Sequence, residues 1–236
     1  MIQSYISRFL STSISSLKKI TPEKLKTKPK SASSQQWLSR QLSDPYVEKA
    51  KTMQLRCRSA FKLIEIDDRY KILSPGDIVV DCGAAPGSWT QVAVKRVNAD
   101  GKMEGDPKGK VVAIDKQHVY PIEVTPSSQQ ALLEHLQGEQ VHAVISDMAP
   151  KASGVRDLDN ENMVKLCYSA LRFAVQITRT EGVLLMKMWQ CGETKQLESD
   201  MSRFYDNVRL VKPKSSRADS TEIFLLGRGF KGLERK

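Results

Sequence analysis

A glycine-rich segment directly follows an apolar run in residues 79–93, VVDCGAAPGSWTQVA. Glycine lets the backbone approach a ligand closely and adopt positive φ angles, and α/β folds bind ligands through such turns after a buried strand. The segment is neither G-x-G-x-x-G nor a phosphate loop ending in G-K-[ST], and Pro86 removes one amide donor. It therefore favours a ligand with a small zwitterionic end over a dinucleotide or a nucleoside triphosphate.

Asp115 closes the next apolar run along the chain. In doubly wound folds an acid at this place binds the diol of a ribose. A nucleoside lying across the two strand ends is therefore implied, and S-adenosyl-L-methionine fits both the turn and Asp115. The alternative, judged on these residues alone, is a plain tight connection without a ligand.

The strands that position these residues are predicted from continuous apolar runs, in which apolar and polar residues do not alternate. Such runs predict strands covered on both faces in a parallel sheet, and they occupy residues 78–82, 111–114, 141–145 and 183–188. A helix is predicted from about residue 160 to about residue 180, between the last two strands.

Further segments complete the predicted domain. Residues 208–211 and 222–226 can close the sheet, the second as an antiparallel strand, and residues 43–70 predict an amphipathic helix with a basic flank. Strands and helices alternate, so the predicted fold is a doubly wound, Rossmann-like α/β sandwich with one antiparallel strand.

Basic charge is concentrated at the start of the chain. The 236 residues carry a net charge of +10, and residues 1–43 hold eight Lys or Arg against one acid, Glu23, a surplus of seven. The first twenty residues are rich in Ser, contain no acid and place their apolar side chains largely on one helical face, as in a mitochondrial presequence. A disordered basic tail that touches RNA is the alternative. We predict a presequence and linker in residues 1–43 and one domain in residues 44–236.

The four cysteines include no C-x-x-C pair, and together with the three histidines they show no metal-ligand spacing. We therefore expect no metal site. No apolar stretch approaches the ~18 residues that a membrane-spanning helix needs, so we expect no such segment.

Four motifs resemble one enzyme family. RSAFKL, VVDCGAAPGSWTQ, SDMAP and KPKSSRADSTEIFLLG, in this order, are similar to motifs of the FtsJ family of ribosomal RNA 2'-O-methyltransferases, over about residues 40–231. With the predicted presequence, the chain is most similar to the mitochondrial large-subunit branch of the family. The resemblance implies S-adenosyl-L-methionine-dependent methylation of a ribose, expected to be that of a uridine in mitochondrial large-subunit rRNA, as a step in ribosome biogenesis in the matrix.

The resemblance also implies roles for individual residues. A family tetrad performs methyl transfer, and its matching positions are Lys62, Asp147, Lys187 as proton acceptor, and Glu222. The expected cofactor-binding residues are Gly83, Pro86, Gly87, Ser88, Trp89, Asp115 and Asp147.

The predicted elements are compatible with this tetrad. Asp147 and Lys187 end predicted strands, so both can face a ligand at the carboxyl edge of the sheet. Glu222 joins them if its strand is antiparallel, and Lys62 would reach in from the helix outside the sheet. The alternative for Lys187 is a solvated lysine on an edge strand.

For methyl transfer from a sulfonium, the protein mainly has to align the 2'-hydroxyl and stabilise its developing negative charge. A neutral lysine could remove the proton, although lysine ordinarily stays protonated up to pH ~10.4. A charged lysine that orients and stabilises the alkoxide is the alternative. The residues themselves do not decide between the two.

RNA contact is expected from basic residues of two segments that flank tetrad positions: Arg56, Arg58, Lys62, Lys212, Lys214 and Arg217. Solvated surface charge is the alternative for each of them. The sequence contains no RNA-recognition module, so specificity is expected to come from RNA shape or from the precursor particle that presents the RNA.

One segment departs from the family pattern. Residues 116–140 are shorter than in the family and offer no clear acidic residue to contact adenine; Val119 to Val124 could supply a truncated strand interrupted by Pro121. Two alternatives therefore stand beside the leading hypothesis: an enzyme for tRNA or an mRNA cap, and a ribosome assembly factor whose catalysis is weak or dispensable.

Overall fold

The computed structural model describes residues 39–115, 136 and 138–233. The predicted presequence up to residue 38 and the truncated strand predicted in residues 119–124 lie outside the described residues. The chain divides into two units, Met1–Val47 and Glu48–Lys236. In the first unit the described residues contain a helical turn at residues 39–42. The domain boundary after residue 43 stays a prediction.

The described residues form five helices and six strands. The helices are α1 (Pro45–Thr52), α2 (Ala60–Tyr70), α3 (Ser88–Arg96), α4 (Arg156–Ile177) and α5 (Thr194–Ser202). The strands are β1 (Ile78–Cys82), β2 (Lys110–Ile114), β3 (Val141–Ser146), β4 (Thr178–Trp189), β5 (Tyr205–Val211) and β6 (Glu222–Phe230).

The six strands form one sheet in the order β2-β1-β3-β4-β6-β5. Strands β2, β1, β3 and β4 are parallel to one another, and β6 is antiparallel to both β4 and β5. The chain leaves β1 towards β2 on one side, whereas β3 lies on the other side of β1, so the strand order reverses there. Ligands in open α/β sheets bind at such a switch point, outside the carboxyl ends of the strands. The predicted fold, with its antiparallel strand, is confirmed.

Helix α4 covers one face of the sheet. Its buried residues recur at helical spacing, Met163, Cys167, Ala170 and Ala174, and join one apolar cluster with Leu184, Met186 and Leu225 of the sheet. On the opposite face, Trp89 of α3 stacks on Phe224 of β6 with ring centroids 5.6 Å apart. Successive strand residues point to opposite faces, so Phe224 contacts Trp89 of α3, whereas Leu225 belongs to the apolar cluster under α4.

The prediction of a single amphipathic helix in residues 43–70 is wrong. The structure has α1 and α2, with residues 53–59 between them. Gln54 adopts a positive φ of 55°, and the backbone N–H of Arg56 donates to Gln91 Oε1 at 2.8 Å instead of to a helical carbonyl. The chain therefore leaves the helix before Cys57 and re-enters one at Ala60.

Several predicted boundaries also differ. Helix α4 runs from Arg156 to Ile177 rather than from about residue 160 to about residue 180. Strand β4 runs from Thr178 to Trp189 rather than over residues 183–188, so Lys187 is two residues before the end of its strand. Within the described ranges, none of the helices combines the length and apolarity that crossing a bilayer would require.

Candidate active site

Four charged side chains converge at the carboxyl edge of β3 and β4. Lys62 lies in the first turn of α2, Asp147 directly follows β3, Lys187 lies near the end of β4, and Glu222 opens the antiparallel β6. Lys62 Nζ is 2.7 Å from Glu222 Oε2 and 4.0 Å from Asp147 Oδ1. Lys187 Nζ is 3.1 Å from the same Asp147 Oδ1. The four residues expected to form the tetrad therefore share one site.

These side chains are 10 to 17% exposed. A lysine buried without a partner is costly, but here two cations face two carboxylates. The alternative of a solvated edge-strand Lys187 is wrong, since β4 lies inside the sheet between β3 and β6.

Asp147 has two differently used oxygens. Its Oδ2 accepts a hydrogen bond from Ser59 Oγ. Its Oδ1 is buried and receives no hydrogen bond from the described residues, although the Lys187 ammonium lies beside it. Lys187 directs its hydrogen bond at the main-chain carbonyl of Asp147, 2.6 Å away. Asp147 Oδ1 therefore lies between two lysine side chains, with Lys187 Nζ at 3.1 Å and Lys62 Nζ at 4.0 Å.

Two serines hold the tetrad carboxylates and were not foreseen as site residues. Ser59 contacts Asp147, and Ser216 Oγ donates to Glu222 Oε1 at 2.8 Å. Both serines lie inside motifs that carry the family resemblance, RSAFKL and KPKSSRADSTEIFLLG. That placement was the available signal, but serine is common in loops, and its contact with a carboxylate appears only in three dimensions.

The glycine turn lies beside the tetrad, between the ends of β1 and β2. The N–H groups of Gly83 and Ala84 both donate to the carbonyl of Ile114, at 2.7 and 3.2 Å. Gly83 and Gly87 have φ angles of 77° and 100°, and the peptide bond before Pro86 is cis. A side chain at Gly83 would overlap Met148, and one at Gly87 would overlap Arg56. Both glycines are thus favoured by their positive φ angles, whereas the overlap at Gly87 is only with the far end of the flexible Arg56 side chain.

The other predicted cofactor residues surround this turn. Asp115 Oδ2 accepts a hydrogen bond from the Ala85 N–H at 2.8 Å, which ties the end of β2 to the turn. Ser88 and Trp89 begin α3 and have buried side chains; the indole Nε1 donates to the Ser59 carbonyl at 2.9 Å. A ligand would therefore meet these two residues through main-chain amides, which have no helical partner in a first turn.

Two of the arginines expected to contact RNA also hold loops around the site, and their contact with RNA stays a prediction. Arg56 Nη1 donates to the carbonyl of Pro86 at 2.7 Å, and an Arg58 guanidinium N–H donates to the carbonyl of Ser215. Glu65 Oε2 accepts the N–H of the same Ser215 at 3.0 Å. Lys212 Nζ likewise donates to the carbonyl of Ser220 at 2.8 Å. These contacts fix the glycine turn and the loop before β6.

Asp81 lies in β1, directly below the turn, and is fully buried. Its Oδ2 accepts a hydrogen bond from Thr90 Oγ1 at 2.6 Å, whereas its Oδ1 has no hydrogen-bond partner among the described residues. Burial, aided by the negative charges of Asp147 and Asp115, raises the pKa of Asp81 to about 7.

Among the described residues, no three His, Cys, Asp or Glu side chains group in a way that could hold a metal ion.

Comparison with known proteins identifies this arrangement. A family model described as FtsJ-like methyltransferase matches residues 55–230, which include the glycine turn and all four converging residues. The chain belongs to the FtsJ-like methyltransferase family. The predicted family and the predicted methyltransferase activity are thereby confirmed.

Individual relatives agree with the family. The chain is 54% identical over 215 residues to mitochondrial rRNA methyltransferase 2 of Drosophila melanogaster, with 87% of this chain and 86% of the relative covered. It is 40% identical to ribosomal RNA large subunit methyltransferase E of Cereibacter sphaeroides, with 87% of each covered. A crystal structure described as a ribosomal RNA methyltransferase of Plasmodium falciparum matches with a TM-score of 0.66 and 29% identity, over 75% of this chain and all of that one.

Proposed function

We propose that this FtsJ-like methyltransferase transfers a methyl group from S-adenosyl-L-methionine to the ribose 2'-hydroxyl of a uridine in mitochondrial large-subunit rRNA. The observation that carries the proposal is the convergence of Lys62, Asp147, Lys187 and Glu222 beside the glycine turn. The names of the relatives from Drosophila and Cereibacter support ribosomal RNA as the substrate.

The residues present fit the cofactor. Gly83 and Gly87 begin and end the turn without side chains, and the first-turn amides of α3, which lack helical partners, would bind a carboxylate. Asp115, at the end of β2, would bind the ribose diol, and Asp147, which directly follows β3, would lie near the methionine end. When bound, S-adenosyl-L-methionine supplies a methyl group whose leaving group is already activated by positive charge.

Lys187 acts on the 2'-oxygen in this proposal. If its amine is neutral, Lys187 would accept the proton that the 2'-hydroxyl loses on methylation. If Lys187 is charged, its ammonium stabilises the developing alkoxide and the proton leaves to solvent. Glu222 holds Lys62 at 2.7 Å, so Lys62 adds a second positive charge at a fixed position.

The proposed location is the mitochondrial matrix, and the proposed substrate is the rRNA within a ribosomal precursor particle. The Drosophila relative carries a mitochondrial name, and the basic, acid-poor residues 1–43 favour import.

Two measurements test the proposal. Calorimetry should detect S-adenosyl-L-methionine binding to the full chain; no detectable binding would favour an assembly factor without catalysis. Mapping of 2'-O-methylation across mitochondrial rRNA, in cells with and without the protein, should show one nucleotide that loses its methyl group. Rescue by the wild type but not by Lys187→Ala would assign that methylation to this site, whereas an unchanged methylation map would overturn the proposal.

A further inference from the structure

A cavity of about 270 Å³ opens at the carboxyl end of β4, between the start of α4 and the start of β6. Its wall is formed mainly by polar and aromatic residues and includes one carboxylate: Gly154, Arg156, Asp159, Asn160, Trp189, Gln190 and Thr221. The volume lies just below the ~300–1,000 Å³ typical of small-molecule sites. It suits one planar ring better than a whole nucleotide with its phosphates.

The cavity is next to the tetrad along β4 and β6, although none of the four tetrad residues lines it. Trp189 pairs directly with Glu222 across the antiparallel β4–β6 ladder, and Thr221 immediately precedes Glu222. Directly opposed residues of a ladder lie on one face of the sheet, with Cβ atoms ~4.5–5.5 Å apart. Lys187 is two residues before Trp189 and is on that face as well. A base linked to a ribose whose 2'-oxygen meets Lys187 would therefore lie beside Trp189.

The cofactor would occupy the other side of the tetrad. The glycine turn and Asp115 stand at the ends of β1 and β2, whereas the cavity stands at the ends of β4 and β6, with β3 and Asp147 between. A transferred methyl group must approach the 2'-oxygen from the cofactor side. The rest of the substrate nucleotide then extends towards the cavity.

One wall of the cavity is fixed before any ligand arrives. Asp159 Oδ1 accepts hydrogen bonds from the Ser153 N–H at 2.7 Å and the Ser153 hydroxyl at 2.6 Å, and Oδ2 accepts the Gly154 N–H at 3.1 Å. Across the cavity, the Gln190 N–H donates to the Thr221 carbonyl at 2.8 Å. These hydrogen bonds fix the main chain around the cavity, while the side-chain carboxamides of Asn160 and Gln190 can face a ligand.

We propose that this cavity binds the base of the nucleotide that is methylated, unstacked from its neighbours in the RNA. The inference rests on the proposed function. Proteins that read unpaired bases stack them on aromatic rings and bond their edges with groups that both donate and accept. Trp189 supplies the stacking surface, and the carboxamides of Asn160 and Gln190 supply donors and acceptors for the edge. Arg156, exposed on the first turn of α4, supplies a cation for an adjoining phosphate.

A double-mutant cycle, which combines a substitution in the protein with removal of the base from the RNA, tests this assignment. The full chain, as wild type and as Trp189→Ala, is given ribosomal precursor particles assembled with one of two RNAs under single-turnover conditions: one with the methylated nucleotide intact, and one with the same ribose but no base. On intact RNA, Trp189→Ala should slow methylation ~10-fold, because the aromatic ring on which the base stacks is removed. On RNA lacking the base, wild type and Trp189→Ala should react equally slowly.

Equal losses from Trp189→Ala on both RNAs would overturn the assignment, because the tryptophan would then act without the base. Trp189→Phe should recover most of the rate on intact RNA. Asn160→Ala should slow only the intact RNA, and Leu158→Ala, an exposed change on the same helical turn outside the cavity, is the matched control. If the wild type methylates neither RNA, the result counts against the proposed function. Failure of the proposed function and failure of the base site therefore give different results.

Discussion

Lys187 Nζ donates a 2.6 Å hydrogen bond to the main-chain carbonyl of Asp147 and lies 3.1 Å from Oδ1 of the same residue. These two neighbours orient the amine in either protonation state. An ammonium has three donors, so a third N–H remains for a substrate oxygen. A neutral amine has two donors and a lone pair, and the lone pair then occupies the third direction. The same geometry therefore serves a base and an alkoxide-stabilising cation.

Ser59→Ala should lower the methylation rate ~10- to 100-fold, because a hydrogen bond to a charged group is worth ~1.5–3 kcal/mol. Asp147 Oδ2 would lose the donor that positions its carboxylate. The loss should appear in kcat more than in the KM for RNA, with Ser59→Thr partly restoring it. Ser202→Ala removes an exposed serine hydrogen bond and serves as the control. A thermal midpoint lowered without any change in kcat would assign Ser59 a purely structural role.

Asp115→Ala should weaken S-adenosyl-L-methionine binding by an order of magnitude or more. It removes a carboxylate that would form charge-assisted hydrogen bonds with the ribose, worth ~1.5–3 kcal/mol. Asp115→Asn separates two effects, since its amide oxygen can still accept the Ala85 N–H while the charge is gone. Calorimetry measures both variants. Unchanged affinity in a folded Asp115→Ala protein would mean that the ribose is bound elsewhere.

The parts of the fold and site that the sequence predicted depend on local patterns. Continuous apolar runs marked β1 to β4, and the turn and Asp115 each follow one of them, so their meeting at one edge follows from parallel pairing. The family motifs identified four residues that the structure brings together. Long-range contacts could not be predicted in this way. The break before Ala60 depends on Gln91, and Ser59 meets Asp147 across 88 positions of sequence.

Asp81→Asn should remove a pH-dependent loss of stability. Burial raises the pKa of Asp81 from 3.8 to about 7, so between these values the folded protein keeps a proton that the unfolded chain releases. Fewer protons are then bound by the unfolded state, and the free energy of unfolding falls as pH rises from about 4 to about 7. Asparagine does not titrate. Relative to the wild type, Asp81→Asn should therefore be more stable at pH 8 than at pH 5.

Urea unfolding at pH 5 and pH 8 measures this difference. Asp106→Asn, a change at an exposed aspartate, is the matched control and should show no such trend relative to the wild type. An equal stability difference between Asp81→Asn and the wild type at both pH values would show that Asp81 does not change its proton uptake on folding.

A reporter fused to residues 1–40 should enter mitochondria, because this segment is basic, rich in Ser and nearly free of acids. Imaging with a matrix marker and protease protection of isolated mitochondria measure the import. A matched fusion with Arg8, Lys18 and Lys19 changed to Glu should stay in the cytosol. A wild-type fusion that also stays cytosolic would refute import and favour a basic tail with another role.

Lys187→Ala should abolish methylation while cofactor and RNA affinities stay nearly unchanged, since Lys187 is proposed to act on the 2'-oxygen during transfer. Removal of an interaction that is made only in the transition state lowers kcat and kcat/KM equally. Calorimetry and RNA-binding titrations measure the two affinities. Substantial turnover by Lys187→Ala on the authentic rRNA would remove Lys187 from the reaction.

Lys187→Arg then distinguishes the two chemical roles, because arginine keeps the positive charge and cannot act as a base in the accessible pH range. If a cation beside Asp147 stabilises the alkoxide, the arginine variant should retain part of the single-turnover rate, and the wild-type rate should be flat with pH. If a neutral amine removes the proton, Lys187→Arg should be as inactive as Lys187→Ala, and the wild-type rate should rise with pH to a plateau. A rising wild-type profile with an active arginine variant would contradict both roles and place the titrating group elsewhere.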